Sequence, residues 1–242
     1  MMGRRMVWAI IVAAGRGRRL GVARPKALVP LKRRPLFFWS LKTLLASEAV
    51  DGVVMTVPAA EKKRFETSLA AMRRTGKKPV YLIAGGRRRQ DSVRKGMEWG
   101  QKFQLSHDTI LLIHDAARPL LDRDLITRCL SPFKNRSFRG CVVPVLPVED
   151  TLKAIDGRRI VKTLDRAKIV RAQTPQALEL GIGLAMHQAA RVEGLVATDE
   201  AMLAEINGLA VRMIPGDSRN MKITTAWDLK MAERIGRTGE TA

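Results

Sequence analysis

Five short apolar runs rich in β-branched residues punctuate the 242-residue chain: Val7 to Ala14, Val53 to Val57, Val80 to Ala84, Ile110 to Ile113 and Cys141 to Val145. Each is continuous rather than alternating, the pattern of a strand buried on both faces of a parallel sheet. Between them, Leu36 to Ala49, Asp122 to Phe133 and Ala177 to Val192 place apolar residues at helical spacing. The alternation predicts an α/β fold, a mostly parallel twisted sheet with helices on both faces. No repeat or low-complexity linker interrupts it, so residues 1–242 read as one domain. The stretch from Cys141 to Thr174 differs: VVPV, DTLKAI and RIVKTL surround an Asp156-Gly157 turn and predict a β-hairpin arm at about 146–171. A projecting arm of this kind commonly meets another subunit, so a homodimer is expected.

Chemistry gathers where the runs end. The first leads into AAGRGRRLGVARPK (Ala13 to Lys26), in which Gly15, Gly17 and Gly21 let the backbone turn with positive φ and aim N–H groups at phosphate oxygens. Arg16, Arg18, Arg19, Arg24 and Lys26 surround that space with positive charge. Two known phosphate motifs fail here. The spacing is G-x-G-x-x-x-G, and the acidic residue a dinucleotide fold places about 20 residues further on is missing, since the first carboxylate in the chain is Glu48. Lys26 follows Pro25 and precedes Ala27, so no P-loop is present either. Taken alone, the loop also reads as a solvated turn. A secretory leader is disfavoured, because the dense arginines behind the apolar run make a poor cleavage region.

No apolar run approaches the length of a membrane span, so a cytoplasmic protein without a membrane partner is expected. Cys129 and Cys141 lie in helix-like and strand-like segments without metal-ligand spacing and read as buried thiols. The net charge of +21 is uneven: residues 1–100 hold 23 Lys and Arg against 6 Asp and Glu, the remainder 21 against 17. The excess sits on the half with the glycine loop and would attract any polyanion. Sequence-tolerant nucleic-acid binding normally adds stacking aromatics to a basic groove. Aromatics are only 5% of this chain, and Phe37, Phe38 and Trp39 lie in an apolar helical stretch where core packing is the simpler account. Nucleic acid is therefore not the expected partner.

Further motifs follow in order: GGRRRQDSV (Gly85 to Val93), LIHDAARP (Leu112 to Pro119), PVEDTLK (Pro147 to Lys153), AQTPQAL (Ala172 to Leu178), TDEA (Thr198 to Ala201) and GDSRNMKIT (Gly216 to Thr224). Together with the glycine loop, from about Ala9 to Glu233, they closely resemble the 2-C-methyl-D-erythritol 4-phosphate cytidylyltransferase family of the non-mevalonate isoprenoid pathway. The resemblance implies a Rossmann-like nucleotidyltransferase domain, CTP and methylerythritol 4-phosphate as substrates, and Mg²⁺ as cofactor. It implies that Arg19 and Lys26 stabilise charge on the α-phosphate and the leaving pyrophosphate. Ala13, Ala14, Gly15, Gly17, Gly86, Arg89 and Ser92 would hold the nucleotide, Ser92 at the cytosine ring, although a serine before a helix is equally a plain N-cap. Asp115 would hold Mg²⁺ beside the phosphates, a hard oxygen ligand suiting that ion, while His114 reads as a packed strand-end residue. Arg118 would orient substrate or brace Asp115. Lys222 and Arg166 would position methylerythritol phosphate with Asp150 and Thr151, Arg166 and Thr151 arriving from the neighbouring subunit.

Two features depart from the family pattern: Ala27 stands where Gln usually follows Pro-Lys, and Gly85 to Arg89 is more basic than typical. Two other readings share part of the evidence of the residues. A ribitol 5-phosphate cytidylyltransferase would use the same glycine loop, HDAAR and arm; a non-catalytic basic nucleotide- or RNA-binding protein would use only the charge.

Overall fold

The computed structural model describes residues 4–15, 17, 24–71 and 78–238, the last three by backbone alone. Four parallel strands lie side by side in the order β5 (Val80–Ala84), β4 (Gly52–Val57), β1 (Val7–Val12) and β6 (Ile110–Asp115). Beyond β6 comes β11 (Gln176–Glu179), antiparallel to it, then β7 (Gly140–Pro147). β12 (Ala210–Pro215) joins β7 in parallel, and β10 (Val170–Ala172) pairs antiparallel with the end of β7. The chain passes from β1 outward to β4 and β5 and then returns to β6 on the opposite side of β1. This reversal leaves a crevice outside the carboxyl ends of the strands, where open α/β sheets bind ligands.

Both faces of the sheet are covered, which is why its central strands are apolar throughout. In β1, Val7, Ala9 and Ile11 face α1 (Leu36–Ala46), α2 (Lys62–Ala70) and α4 (Arg123–Leu130), meeting a core that includes Phe37, Leu41, Phe65 and Leu125. Trp8 and Ile10 face the opposite core of α3 (Arg89–Lys102), α5 (Leu180–Val192) and α6 (Glu200–Ile206), with Val93, Met97, Met186 and Leu203. Each fully buried side chain of this size contributes about 1.5–3 kcal/mol. Gly96 lets α3 lie close on β1, because a Cβ there would come within 2.9 Å of Ile10. Trp8, Tyr81, Trp99 and Phe103 cluster with ring centroids 4.8 to 6.2 Å apart, so these aromatics pack on one another rather than lining a groove.

One element differs from its expected type. The helical spacing over 177–192 begins with a strand, β11, and the helix α5 starts only at Leu180. Gln176 to Glu179 are buried and paired with β6, with Ala177 also opposite Val142 of β7, so the slot in the sheet overrides local periodicity. Two other helices are shorter than their spacing predicts. α1 stops at Ala46, and α4 opens at the N-cap Asp122, which accepts from the Leu125 N–H at 2.8 Å. Before Pro132 the α4 segment tightens into a 3₁₀ turn, Ser131–Lys134.

The hairpin consists of β8 (Lys153–Asp156) and β9 (Arg159–Thr163), joined through Gly157 at φ +55°. VVPV belongs to β7 of the main sheet, so the arm is shorter than the 146–171 expected, lying between Pro147 and β10. Ile155, Ile160 and Val161 on it are 68, 62 and 55% exposed. A last small core holds β2 (Pro30–Leu31), β3 (Arg34–Pro35) and α7 (Ala226–Thr238) together through Val29, Leu31, Leu36, Ile223 and Ala232. Cys129 and Cys141 are buried and unbridged. Among the described residues no helix is long and apolar enough to cross a membrane.

Candidate active site

A cleft of about 640 Å³ opens at the carboxyl ends of β1, β4, β5 and β6. Among the residues expected at the site, Ala14, Gly15, Lys26, Gly86, Arg89, Ser92, Asp115 and Lys222 line it. Ala13 is buried just behind, at the end of β1, and donates its N–H to the Thr56 carbonyl at 2.9 Å. Gly17 adopts φ +68°, and a Cβ there would come within 2.9 Å of the Lys26 Cβ. Only glycine allows both the turn and this approach. The Lys26 N–H donates to the Gly15 carbonyl at 3.3 Å, which closes the loop and fixes the lysine at the cleft. Arg19, like Arg16, Arg18 and Gly21, lies outside the described residues. Ala27 is buried in the core beneath, 3% exposed, a position that suits its small apolar side chain.

In the same cleft a carboxylate is clamped between two cations. Asp115, the last residue of β6, accepts from Arg89 Nε on Oδ1 at 3.0 Å and pairs with Lys222 Nζ through Oδ2 at 2.7 Å. Burial alone would push the Asp115 carboxyl up, but the charges of Arg89 and then Lys222 outweigh it and hold the group well below the usual carboxylate range. Arg89 in turn donates Nη1 to both oxygens of Glu200, at 3.2 and 3.0 Å. Burial works against its charge, yet Glu200 and Asp115 together carry the guanidinium above its ordinary value. Arg89 Nη2 is buried without a partner, a donor left over at the edge of the cleft.

The distant motifs serve this clamp. Gln176 accepts from the N–H groups of Glu200 and Ala201 and donates to Asp199, pinning the start of α6 so that Glu200 meets Arg89. Gln173 exchanges hydrogen bonds with the backbone of Asp217, and Asn220 donates to the Thr174 carbonyl at 2.7 Å. Met221 and Ile223 pack into the third core on either side of Lys222, leaving the lysine turned to the cleft. Thr225 and Asp228 form a reciprocal capping box that starts α7 directly behind this loop. Thr174 Oγ1 accepts from the Asp115 N–H at 3.1 Å and also bonds His114 Nδ1 at 3.2 Å. With His114 Nε2 3.0 Å from the Arg118 carbonyl, the neutral Nε2–H tautomer satisfies both ring nitrogens. Burial pushes the His114 pKa down to about 4, as befits a packed strand-end residue.

Ser92 is not an N-cap: α3 begins at Arg89, and Ser92 is fully buried within it, accepting from the Gly86 N–H at 3.0 Å and donating to the Arg88 carbonyl. Asp91 instead receives the Arg88 N–H at the helix start. Arg118 braces the Lys222 loop through the Asn220 carbonyl at 2.8 Å, close enough to Asp115 and Arg89 to feel both charges. Asp150, Thr151 and Arg166 are exposed at the base of the arm and do not line the cleft of their own chain; Arg166 bonds the Glu149 carbonyl. Glu200, Gln176 and Asn220 escaped assignment from sequence. The available signal was the acidic pair Asp199 and Glu200 directly ahead of the apolar run Ala201 to Ala204.

Comparison with known proteins decides the family. The model of 2-C-methyl-D-erythritol 4-phosphate cytidylyltransferase (IspD) matches residues 7–238. The chain belongs to this family. It is 37% identical over 228 residues to the cytidylyltransferase of that name from Geobacillus kaustophilus, covering 94% of this chain and 95% of the relative. The corresponding protein of Saccharopolyspora erythraea is 36% identical over 230 residues, 95 and 98% of the two chains. Among solved structures, those of the cytidylyltransferases from Thermus thermophilus and Francisella tularensis superpose with TM-scores of 0.73 and 0.79 at 29 and 26% identity. They cover 94 and 95% of this chain and 98 and 99% of theirs. The α/β fold, the mostly parallel sheet and the enzyme class follow: this cytidylyltransferase is a CTP-dependent nucleotidyltransferase.

Proposed function

We propose that the cleft transfers a cytidylyl group from CTP to 2-C-methyl-D-erythritol 4-phosphate, with Lys26 and Lys222, both in its lining, facing the reacting phosphates. The observation that carries this assignment is the Asp115 carboxylate held between Arg89 and Lys222 at the switch point of the sheet, in the same cleft as the glycine loop and Lys26. An oxygen of the methylerythritol phosphate attacks the α-phosphorus of CTP. A new P–O bond forms there, the bond to the β-phosphate bridging oxygen breaks, and its electron pair leaves with pyrophosphate. The attacking oxygen is already an anion, so no side chain has to remove a proton; the enzyme must position the two phosphates and neutralise their charge. Lys26, with Arg19, stabilises the α-phosphate and the departing pyrophosphate. Lys222 draws the second phosphate into the cleft. Gly85, Gly86 and the buried Ser92 hydroxyl form the small-residue end of the cleft suited to the base.

The donor set fits Mg²⁺. Among the described residues no group of three acidic, cysteine or histidine ligands exists, and Asp115 alone offers a carboxylate at the cleft. That suits an ion held by one carboxylate and by substrate phosphates. Bound there, Mg²⁺ would add positive charge to the phosphates; Asp115 would hold it, and Lys222, 43% exposed in its side chain, is free to exchange Asp115 for a phosphate.

The arm supplies the remaining contacts from a second copy. In a homodimer Arg166 and Thr151, with Asp150, reach the partner's cleft, and the exposed Ile155, Ile160 and Val161 bury against the other subunit. We read the chain as one domain acting in the cytoplasm. The test is pyrophosphate release with CTP and Mg²⁺, offering methylerythritol 4-phosphate and ribitol 5-phosphate in parallel, with ATP, GTP and UTP as controls. Release confined to CTP with methylerythritol phosphate is expected; preference for ribitol phosphate would overturn the substrate assignment, and silence with both would overturn the catalytic one.

A further inference from the structure

A second, smaller pocket of about 240 Å³ lies against the first turns of α3 and the last turn of α5. Arg88, Arg94 and Arg191 line it with Asp91, and its inner wall includes His187. The charge balance is cationic. The one carboxylate in the wall, Asp91, is engaged with the Arg88 N–H, whereas the side chains of Arg88 and Arg191 have no ion pair among the described residues. Arg94 pairs with Glu98 one turn along its own helix. At the end of α5 the carbonyls of Ala190 and Arg191 accept from the N–H groups of Leu195 and Gly194, so two of its terminal acceptors are already paired. Gln90 clamps the 195–197 loop over α3 by donating to the Leu195 carbonyl and accepting from the Ala197 N–H, which gives the pocket a fixed wall.

His187 gives the pocket its second observation. It is 1% exposed, yet neither ring nitrogen has a hydrogen-bond partner, and its nearest carboxylate, Glu200 Oε1, stands 3.9 Å away. Buried polar groups are nearly always paired, and an orphaned one costs about 1–3 kcal/mol. Burial, reinforced by Arg94 and Arg89, pushes the His187 pKa down to about 4. A neutral imidazole still has one N–H to donate.

We propose that this pocket is a binding site for a small phosphate-class oxyanion, inorganic phosphate or a phosphomonoester, held by Arg88, Arg94 and Arg191 with the ring of His187 as an inner donor. Arginine forks suit a tetrahedral oxyanion, and the site lies outside the catalytic cleft while sharing Arg88 with its wall. The occupant offers an acceptor to the one N–H of the neutral His187 ring.

The ring nitrogens of His187 provide the readout, followed by long-range ¹H–¹⁵N correlation NMR while the full-length enzyme is titrated with inorganic phosphate or with glycerol 3-phosphate. Both the wild type and Lys222→Ala, which weakens the cleft alone, should show a saturable shift. Arg191→Ala changes an exposed residue outside the catalytic machinery; it should keep basal activity and weaken the response at least about tenfold, the cost of one charge-assisted contact. Saturation by phosphate alone would identify the free ion as the occupant, and tighter response to the ester a phosphomonoester. Ring signals that stay fixed with both anions, shift equally in Arg191→Ala, or stop shifting in Lys222→Ala would overturn the site.

Discussion

In the cleft, Asp115 engages both carboxylate oxygens with cations, Arg89 reaches on to Glu200, and Gln173, Gln176 and Asn220 are bonded to the backbone behind them. On the arm, Ile155, Ile160 and Val161 stand in solvent, and Asp150, Thr151 and Arg166 lie exposed away from the cleft. The first region is preorganised within one chain and can hold charge at fixed positions before any substrate arrives. The second holds exposed apolar area beside exposed polar and charged residues, with no cleft of its own chain against them. The difference teaches that the charged wall of the cleft is built within the single fold, while under the proposed function the arm acts only against a second copy.

The comparison is broken most strongly from the cleft side. Lys26→Ala should leave the fold intact and lower turnover by ~10²- to 10³-fold, the loss expected for one preorganised group at a developing charge. Arg166→Ala should be comparably weak in its own homodimer. Mixed with Lys26→Ala chains, it should recover roughly a quarter of wild-type activity, because half of randomly assembled dimers are mixed and each then has one intact composite site. Steady-state rates of the two variants, alone and mixed, check both statements. A mixture no more active than its parents would place Arg166 outside the partner's site.

A smaller effect separates the interior from the arm by pH. The folded-state pKa of His114 and of His187 lies at about 4, below the ordinary 6.5 of an unfolded chain. As pH falls from about 6.5 to 4 the unfolded state takes up protons that the folded state refuses, so stability is full above that window and is lost on descending through it. The upper limit is roughly 3 kcal/mol for each histidine. Urea unfolding in a phosphate-free buffer should show the loss between pH 7 and pH 4.5, and His187→Gln should remove about half of it. An equal slope in that variant would mean that His187 does not stay neutral in the fold.

Much of the catalytic wall was readable from residues and their order. The apolar runs became strands at their expected places, and Lys26, Gly86, Arg89, Asp115 and Lys222 meet at one cleft because each sits where a strand ends or in a motif loop beside it. What stayed hidden depends on distance along the chain. Arg89 and Glu200 are 111 positions apart, and no spacing rule links them. Thr174, Gln176 and Asn220 stood inside recognisable motifs, yet their work is to bond backbone groups whose position only the folded sheet defines. β11 was hidden for a related reason: Gln176 to Glu179 take strand form from the gap between β6 and β7, while their own apolar spacing continues into α5. Ser92 and Arg118 show what a motif leaves open, since the Ser92 hydroxyl bonds the Gly86 N–H and the Arg88 carbonyl within its own loop and Arg118 bonds the Asn220 carbonyl.

The arm gives the smallest expected effect on the single chain. Ile160 is 62% exposed on β9, so changing it to serine removes little from the folded single chain. If the arm packs on a second subunit, that side chain is buried twice per dimer on assembly, and its loss should weaken the dimer by about a hundredfold, tenfold for each copy at the lower end of what burying an isoleucine provides. Sedimentation across a concentration series would show this, while far-UV circular dichroism stays unchanged. Activity should fall only at dilutions where the variant dissociates, and should return at higher concentration, because its own Lys26, Asp115 and Lys222 are untouched. A variant that sediments as the wild type at every concentration would leave Ile160 outside the interface and move the search to the other exposed apolar residues, Ile155 and Val161. A variant that stays dimeric but loses activity at all concentrations would assign the arm a task in the cleft beyond holding two copies together.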